Sequence, residues 1–183
     1  MKKISLMFSI AGLLAYGMGG AHAATNSAGT VTFLGEIVET TCKVDTSSQN
    51  LEVKLPKIAS SQLPDSGSTA ALTPFSLKLT GCTASKDPNT AVQVGVMFDA
   101  SQNVNVNSGR LINTANPKSN VEISILDADH KDILIGTGAS SYRYVNTDAN
   151  NGATLQYFAQ YYATGKVLPG KVQTNVTYSI VYP

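Results

Sequence analysis

Val172-Gln-Thr-Asn-Val-Thr-Tyr-Ser-Ile-Val-Tyr-Pro183, the final stretch of the chain, decides how the rest is read. From Val176 onward the apolar residues fall on alternate positions, Val176, Tyr178, Ile180 and Tyr182, with Thr177 and Ser179 between them. A period of two in β-branched and aromatic residues predicts a strand with one buried face. No later strand follows to cover its second edge, and an uncovered apolar edge is a template for another chain. A similar stretch, Gly29-Thr-Val-Thr-Phe-Leu34, stands near the opposite end. The two ends are expected to pair between neighbouring molecules.

The first residues read as an export signal rather than as fold. Lys2 and Lys3 precede an apolar run, Ile4 to Ala15, and Ala21-His-Ala23 supplies small residues where a signal peptidase reads. The run is shorter than the roughly 20 apolar residues of a membrane-spanning helix. Cleavage before Ala24 leaves 160 of the 183 residues, enough for one domain with a sizeable core. Without Lys2 and Lys3 the basic residues fall from 13 to 11 against 12 acidic ones. The mature chain is thus nearly neutral, with no basic patch suited to nucleic acid. Trp is absent, and Gly, Ser, Thr, Asn and Val are abundant, which favours strands and turns over helix.

Two cysteines, Cys42 and Cys82, lie forty positions apart. An even cysteine count in an exported chain reads as a disulfide. Closing a loop of that length is worth roughly 4 kcal/mol on the chain-entropy estimate, a large share of a domain's stability. The bridge also calls for an oxidising space such as a bacterial periplasm.

Between the termini the sequence alternates strands and turns. Gly29 to Thr41 reads as one long strand or two in succession, with Gly35 as the hinge where the apolar face changes before Cys42 and Val44. Leu51 to Leu55, Phe75 to Leu79, Val92 to Phe98, Val121 to Asp127, Ile133 to Ile135 and Leu155 to Ala163 follow as strands. Asp45 to Asn50, Pro88-Asn89, Asp129 to Asp132 and Asn150 to Gly152 read as turns, and Asp99 to Gly109 as a polar surface loop. Ser60 to Thr73 is an excursion with at most one helical turn near Ser60 to Leu63. About eight short strands without a sustained helical period predict an all-β sandwich of immunoglobulin-like kind.

Residues for catalysis are hard to find. The one mature histidine, His130, sits in the turn Asp129-His-Lys-Asp132. There is no Gly-x-Ser-x-Gly elbow and no phosphate-binding glycine loop opening a helix. Asp127, Asp129 and Asp132 lack the glycine and the closing glutamate of a calcium loop. Tyr157, Tyr161 and Tyr162 fit half-buried strand positions better than a sugar-binding platform. Asn175-Val-Thr matches a glycosylation sequon by chance, inside a strand.

The whole mature chain resembles the pilin subunits of chaperone–usher fimbriae, most closely type 1 major subunits. The residues that carry this are Gly29-Thr-Val-Thr-Phe-Leu-Gly-Glu-Ile-Val-Glu-Thr-Thr-Cys42, Cys82 after a similar interval, Asn120-Val-Glu-Ile-Ser-Ile-Leu-Asp127 and Phe158-Ala-Gln-Tyr-Tyr-Ala-Thr-Gly165. A penultimate aromatic, Tyr182, and a glycine fourteenth from the end, Gly170, complete the set. The resemblance implies an incomplete immunoglobulin-like β-sandwich lacking its final strand. A groove beside the C-terminal strand, marked here by Gly170, Val176, Tyr178, Ile180, Tyr182 and Pro183, would accept a strand by β-augmentation. A periplasmic chaperone would fill it first and grip the C-terminal carboxylate. At an outer-membrane usher the N-terminal extension of the next subunit, Ala24 to about Leu34, would replace the chaperone. Ser27, Gly29, Val31 and Phe33 would face the groove, with residues 35–183 forming the pilin domain. Ser27 departs from the more apolar residue usual at the outermost pocket.

The resemblance thus implies a structural subunit of an adhesive surface fimbria, without catalysis, cofactor, metal or small-molecule substrate. A minor adaptor subunit and a secreted carbohydrate-binding module are the alternatives. Terminating subunits lack a usable extension, and tip adhesins carry a further lectin domain for which 160 residues leave no room.

Overall fold

Leu77 and Leu79 alternate with Lys78 and Thr80, and this alternation becomes part of the longest strand of the computed structural model, β2 (Thr69–Thr83). The structure describes residues 29–35, 37, 41–83, 92–137 and 142–183. The export signal, Ala24, Ser27, Val38 and the Pro88-Asn89 turn lie outside the described residues. The chain divides into two compact units, Met1–Ile37 and Val38–Pro183.

In the second unit β1 (Thr41–Val44) and the one-turn helix α1 (Thr46–Gln49) precede β2. They are followed by β3 (Gln93–Phe98), β4 (Val104–Asn105), β5 (Arg110–Ile112), β6 (Val121–Leu126), β7 (Val145–Asn146), β8 (Ala153–Ala163) and β9 (Tyr178–Val181). Six strands form one sheet in the order β1-β2-β8-β6-β5-β4, and three form another in the order β7-β3-β9. All the pairings are antiparallel.

The alternating residues of both sheets meet in one core. Leu77 pairs with Leu155 across β2 and β8, and Phe75 with Tyr157. Val94, Val96 and Phe98 enter the same cluster from the second sheet. The Phe98 ring meets the Tyr157 ring edge-on at 5.2 Å, and Phe75 stacks on Tyr157 at 5.7 Å. Burying each such side chain contributes roughly 1.5–3 kcal/mol, which is why the alternating segments are held face to face.

Cys82 reaches this core through a bulge. Gly81 has φ +61, and the β1–β2 register slips between Thr41/Thr83 and Lys43/Thr80. The extra residue turns Cys82 inward, where an alternating strand would have turned Gly81, and Cys82 joins Cys42 in the disulfide.

Buried polar groups act as fasteners. Glu122, nearly buried on β6, accepts from Arg110 Nε at 3.1 Å, Asn105 Nδ2 at 2.6 Å and Ser108 Oγ at 3.1 Å. The Arg110 guanidinium also lies 3.5 Å over the Tyr162 ring. This network ties β4, β5, β6 and β8 together.

Several sequence expectations are corrected by the pairing. Residues 29–35 and 37 belong to no strand, and of the expected strand Gly29 to Thr41 only Thr41, in β1, is a strand residue among the described ones. Leu51 to Leu55 keeps its alternation, with Val53 and Leu55 half-buried, yet belongs to no ladder. Ile133 to Ile135 forms no strand, although Ile133 N donates to Ile125 O at 2.8 Å and Ile135 N to Gly109 O at 3.1 Å, beside the isolated bridge Leu126 to Asp132. The polar loop Asp99 to Gly109 contains β4, and β2 starts within the expected excursion, at Thr69. Asp45 to Asn50 carries α1, and the expected turn near Ser60 is a 3₁₀ turn, Ser60–Gln62. Alternation reports which face is buried; a strand also needs a neighbour's backbone, and that is set elsewhere in the chain.

Two tests follow from the core. Cys82→Ser is expected to cost roughly 2–4 kcal/mol, read from the urea midpoint, and alkylation of the oxidised protein should find no free thiol. Burial, reinforced by the nearby Asp127 carboxylate, pushes the Tyr157 hydroxyl up from 10.0 to about 12. The folded chain therefore keeps this proton where the unfolded chain has released it. That stability is complete below about pH 10 and should decline as pH rises towards 12, with a shallower decline in Tyr157→Phe.

Candidate functional site

The C-terminal segment has two different edges. Thr177 O accepts from Asp99 N at 2.9 Å, and Gln173 O accepts from Thr114 N at 2.8 Å. In β9 the odd-numbered residues continue this pattern towards β3, where Met97 is paired with Ser179 and Gly95 with Val181. The side chains of Val172, Thr174, Val176, Tyr178 and Ile180 are half-buried, and those of Gln173, Asn175, Thr177 and Ser179 are exposed. Backbone groups and side chains both alternate along a strand, so the residues facing the core also direct their N–H and C=O away from β3. No backbone hydrogen bond from Val172, Thr174, Val176, Tyr178 or Ile180 occurs on that side among the described residues.

A second unpaired segment packs on the same apolar groups. From Leu51 to Ile58 the chain makes no backbone–backbone hydrogen bond among the described residues. Leu55 joins the core cluster with Val172, Val176 and Tyr178, and Ile58 packs with Val172 and Val167 on Leu63, Val121 and Ala163. Tyr161 touches both clusters, and its hydroxyl donates to Pro56 O at 3.3 Å. Two extended edges without ladders thus border one apolar floor. Thr174 Oγ1 is buried there without a partner.

Two tyrosine hydroxyls tie the C-terminal end to β1 and α1. Tyr178 Oη donates to Ser48 O at 2.7 Å, and Tyr182 Oη accepts from Cys42 N at 3.1 Å. Burial raises the Tyr178 pKa, which keeps the donating proton in place. The Ser48 carbonyl is positioned by α1, whose cap Asp45 accepts from Ser47 Oγ and Ser47 N. Those two bonds hold the Asp45 carboxyl below the usual carboxylate range.

The expected acceptor residues Val176, Tyr178, Ile180 and Tyr182 therefore share one face, while the ladder of β9 spans only Tyr178–Val181. Pro183 is exposed. A Cβ on Gly170 would meet only Asn116 Nδ2 at 3.6 Å, so the local geometry does not demand glycine. Of the expected donor residues Gly29, Val31 and Phe33 are exposed, and Ile37, in step with them, is fully so. Sequence reasoning missed the Leu51–Ile58 border as an edge, although its period of two was visible.

The carboxylates of the acidic turn are occupied within the chain, Asp129 among them by an ion pair with Arg143. Asp127 Oδ1 accepts from Asp129 N at 2.8 Å and Lys131 N at 3.0 Å, and Asp132 Oδ1 accepts from Ser124 Oγ at 2.6 Å. His130 is exposed, with its ring edge-on to Phe158 at 4.4 Å. No cluster of metal-ligating side chains occurs among the described residues. Nor, among them, is any helix long and apolar enough to cross a membrane.

Fold and site together define a β-sandwich in which the place of one strand is unfilled. Residues 31–183 match the family model described as fimbrial protein, and the chain belongs to that family of structural pilins. It is 42% identical over 158 residues to the F17 fimbrial protein of Escherichia coli, covering 84% of this chain and 87% of that one. It is 33% identical over 171 residues to the major fimbrial subunit SMF-1 of Stenotrophomonas maltophilia, covering 88% and 97%. The P pilus rod subunit PapA superposes with a TM-score of 0.60 at 17% identity, over 78% of this chain and 99% of that one. The fold is thus the incomplete immunoglobulin-like sandwich of pilins, and the family places such subunits together in an extracellular pilus.

Tyr178→Phe removes one hydroxyl tie without changing the buried ring. It is expected to cost about 0.5–1.5 kcal/mol in urea unfolding, with the larger loss in Tyr178→Ala, where the apolar contact goes as well.

Proposed function

We propose that this chain is the rod-forming subunit of a fimbria and polymerises by donor-strand exchange. The observation that carries the proposal is the unpaired edge of Val172 to Ile180, over an apolar floor that it shares with the equally unpaired Leu51 to Ile58. A strand added there gains main-chain hydrogen bonds along its length and apolar contacts at alternate residues.

The donor is the N-terminal segment of another copy. Ser27, Gly29, Val31 and Phe33 supply its inward face. Val31 (75%), Phe33 (89%), Leu34 (93%) and Ile37 (101%) are all exposed, and we take the donor on to Ile37 because it falls in step with Val31 and Phe33. Burying Val31 or Phe33 contributes roughly 1.5–3 kcal/mol each. Donor and acceptor are different parts of one chain, so the link runs head to tail and does not close, which yields a fibre. Before assembly the same edge needs cover, since an open apolar edge aggregates. A periplasmic chaperone supplies it, and an outer-membrane usher exchanges the chaperone for the next subunit. Residues 1–23 direct the chain to the periplasm, where the Cys42–Cys82 bridge forms.

Deleting residues 24–37 is expected to leave a folded, chaperone-bound subunit that forms no fibres. Fusing a copy of that segment after Pro183 through a flexible linker should raise the unfolding midpoint sharply, because its effective concentration is high. Chaperone co-purification, surface fibre counts by electron microscopy and urea unfolding check these outcomes. Normal fibres from the truncated chain as sole pilin would reject the proposal.

A further inference from the structure

Asn113 is 1% exposed, and every hydrogen-bonding position of its side chain is used. Oδ1 accepts from Ala115 N at 3.1 Å, Asn116 N at 3.3 Å and Gln173 N at 3.1 Å. Nδ2 donates to Ser119 Oγ at 3.0 Å and to Lys171 O at 3.0 Å. One amide therefore folds the 113–119 loop and also grips the C-terminal segment at two points, sixty residues away in sequence.

The grip falls where the segment most needs it. The β3 ladder ends near Asp99 N, which bonds Thr177 O, so residues 171–175 have no strand beside them on that flank. Side chains take the ladder's place. Thr114 N and Oγ1 both donate to Gln173 O at 2.8 Å, and Asn103 Nδ2 donates to Asn175 Oδ1 at 2.9 Å. The same loop continues along the chain, with Leu168 N donating to Ser119 O at 3.0 Å and Asn120 Nδ2 to Lys166 O at 2.9 Å. All the bonds to residues 171–175 use odd-numbered residues, leaving the N–H and C=O groups of Val172, Thr174 and Val176 directed to the opposite side.

We infer that Asn113, helped by Thr114 and Asn103, is a positioning residue for strand capture: it fixes the acceptor edge in extended form before a donor arrives. The occupant is the residue 24–37 segment of a second copy, so the inference rests on the donor-strand reading. Fixing the edge in advance removes an ordering cost that binding would otherwise meet. The device differs from a core fastener because it is directional, occupying one flank of the segment and sparing the other. A residue needed only for core stability would change the unfolding midpoint without changing how a folded subunit captures a strand.

The test uses the full mature chain and a fluorescent peptide of residues 24–37. Capture is followed by anisotropy and normalised to the folded fraction; amide exchange is followed in the same samples. Asn113→Ala is expected to slow capture ten-fold or more and to abolish protection of the Gln173 amide. Asn113→Asp, which keeps an acceptor for the three amides, should recover part of the rate. If Asn113→Ala does not fold, the surface double variant Asn103→Ala, Thr114→Val decides, with a three-fold or greater slowing expected. Capture within two-fold of the unmodified chain by the folded variants would overturn the inference while leaving the donor-strand reading intact. No capture by the unmodified chain would instead overturn that reading, and the inference with it.

Discussion

A row of backbone amides and carbonyls along one edge of the C-terminal segment, without a ladder among the described residues, is the constraint on which the rest of this structure depends. Such groups are inexpensive while water reaches them and costly once buried without partners. The apolar floor beneath them calls for cover that water cannot give. In the donor-strand reading proposed above, the subunit is an acceptor whose free edge favours association over a solitary fold. The body meets this condition by holding the border still from every other direction. The disulfide fixes β1 to β2, the Tyr178 and Tyr182 hydroxyls tie the last strand to Ser48 and Cys42, and Asn113 holds the flank facing away from the free edge.

The polar residues of the chain make sense in the same terms. Glu122 with Arg110, Asn105 and Ser108, Asp127 in its turn, and Asn113 with Ser119 in its loop direct their hydrogen bonds to backbone or to one another. These groups keep short strands and loops in place where ladders are too short to do so. In this fold buried polar contacts and a covalent bridge extend the sheets' cohesion beyond their ladders. The comparison with PapA, at 17% identity and a TM-score of 0.60, shows that the framework tolerates wide sequence change while the strand arrangement persists.

Much of this was legible in the sequence. Period-two alternation marked the core faces of β2, β3, β6, β8 and β9, because a buried side chain must recur at every second residue of a strand. The cysteine pair pointed to a bridge, and the apolar segments near the two ends suggested association. Sequence alone did not distinguish a paired strand from an extended segment: Leu51 to Leu55 and Val172 to Thr177 alternate as well as β9 does, yet have no ladder of their own. Pairing depends on backbone brought from elsewhere in the chain, and side-chain periodicity carries no record of which neighbour arrives. For the same reason Asn113 looked like one more loop asparagine. Its role exists only because folding brings it against Lys171 and Gln173, where its five hydrogen bonds can be made at once.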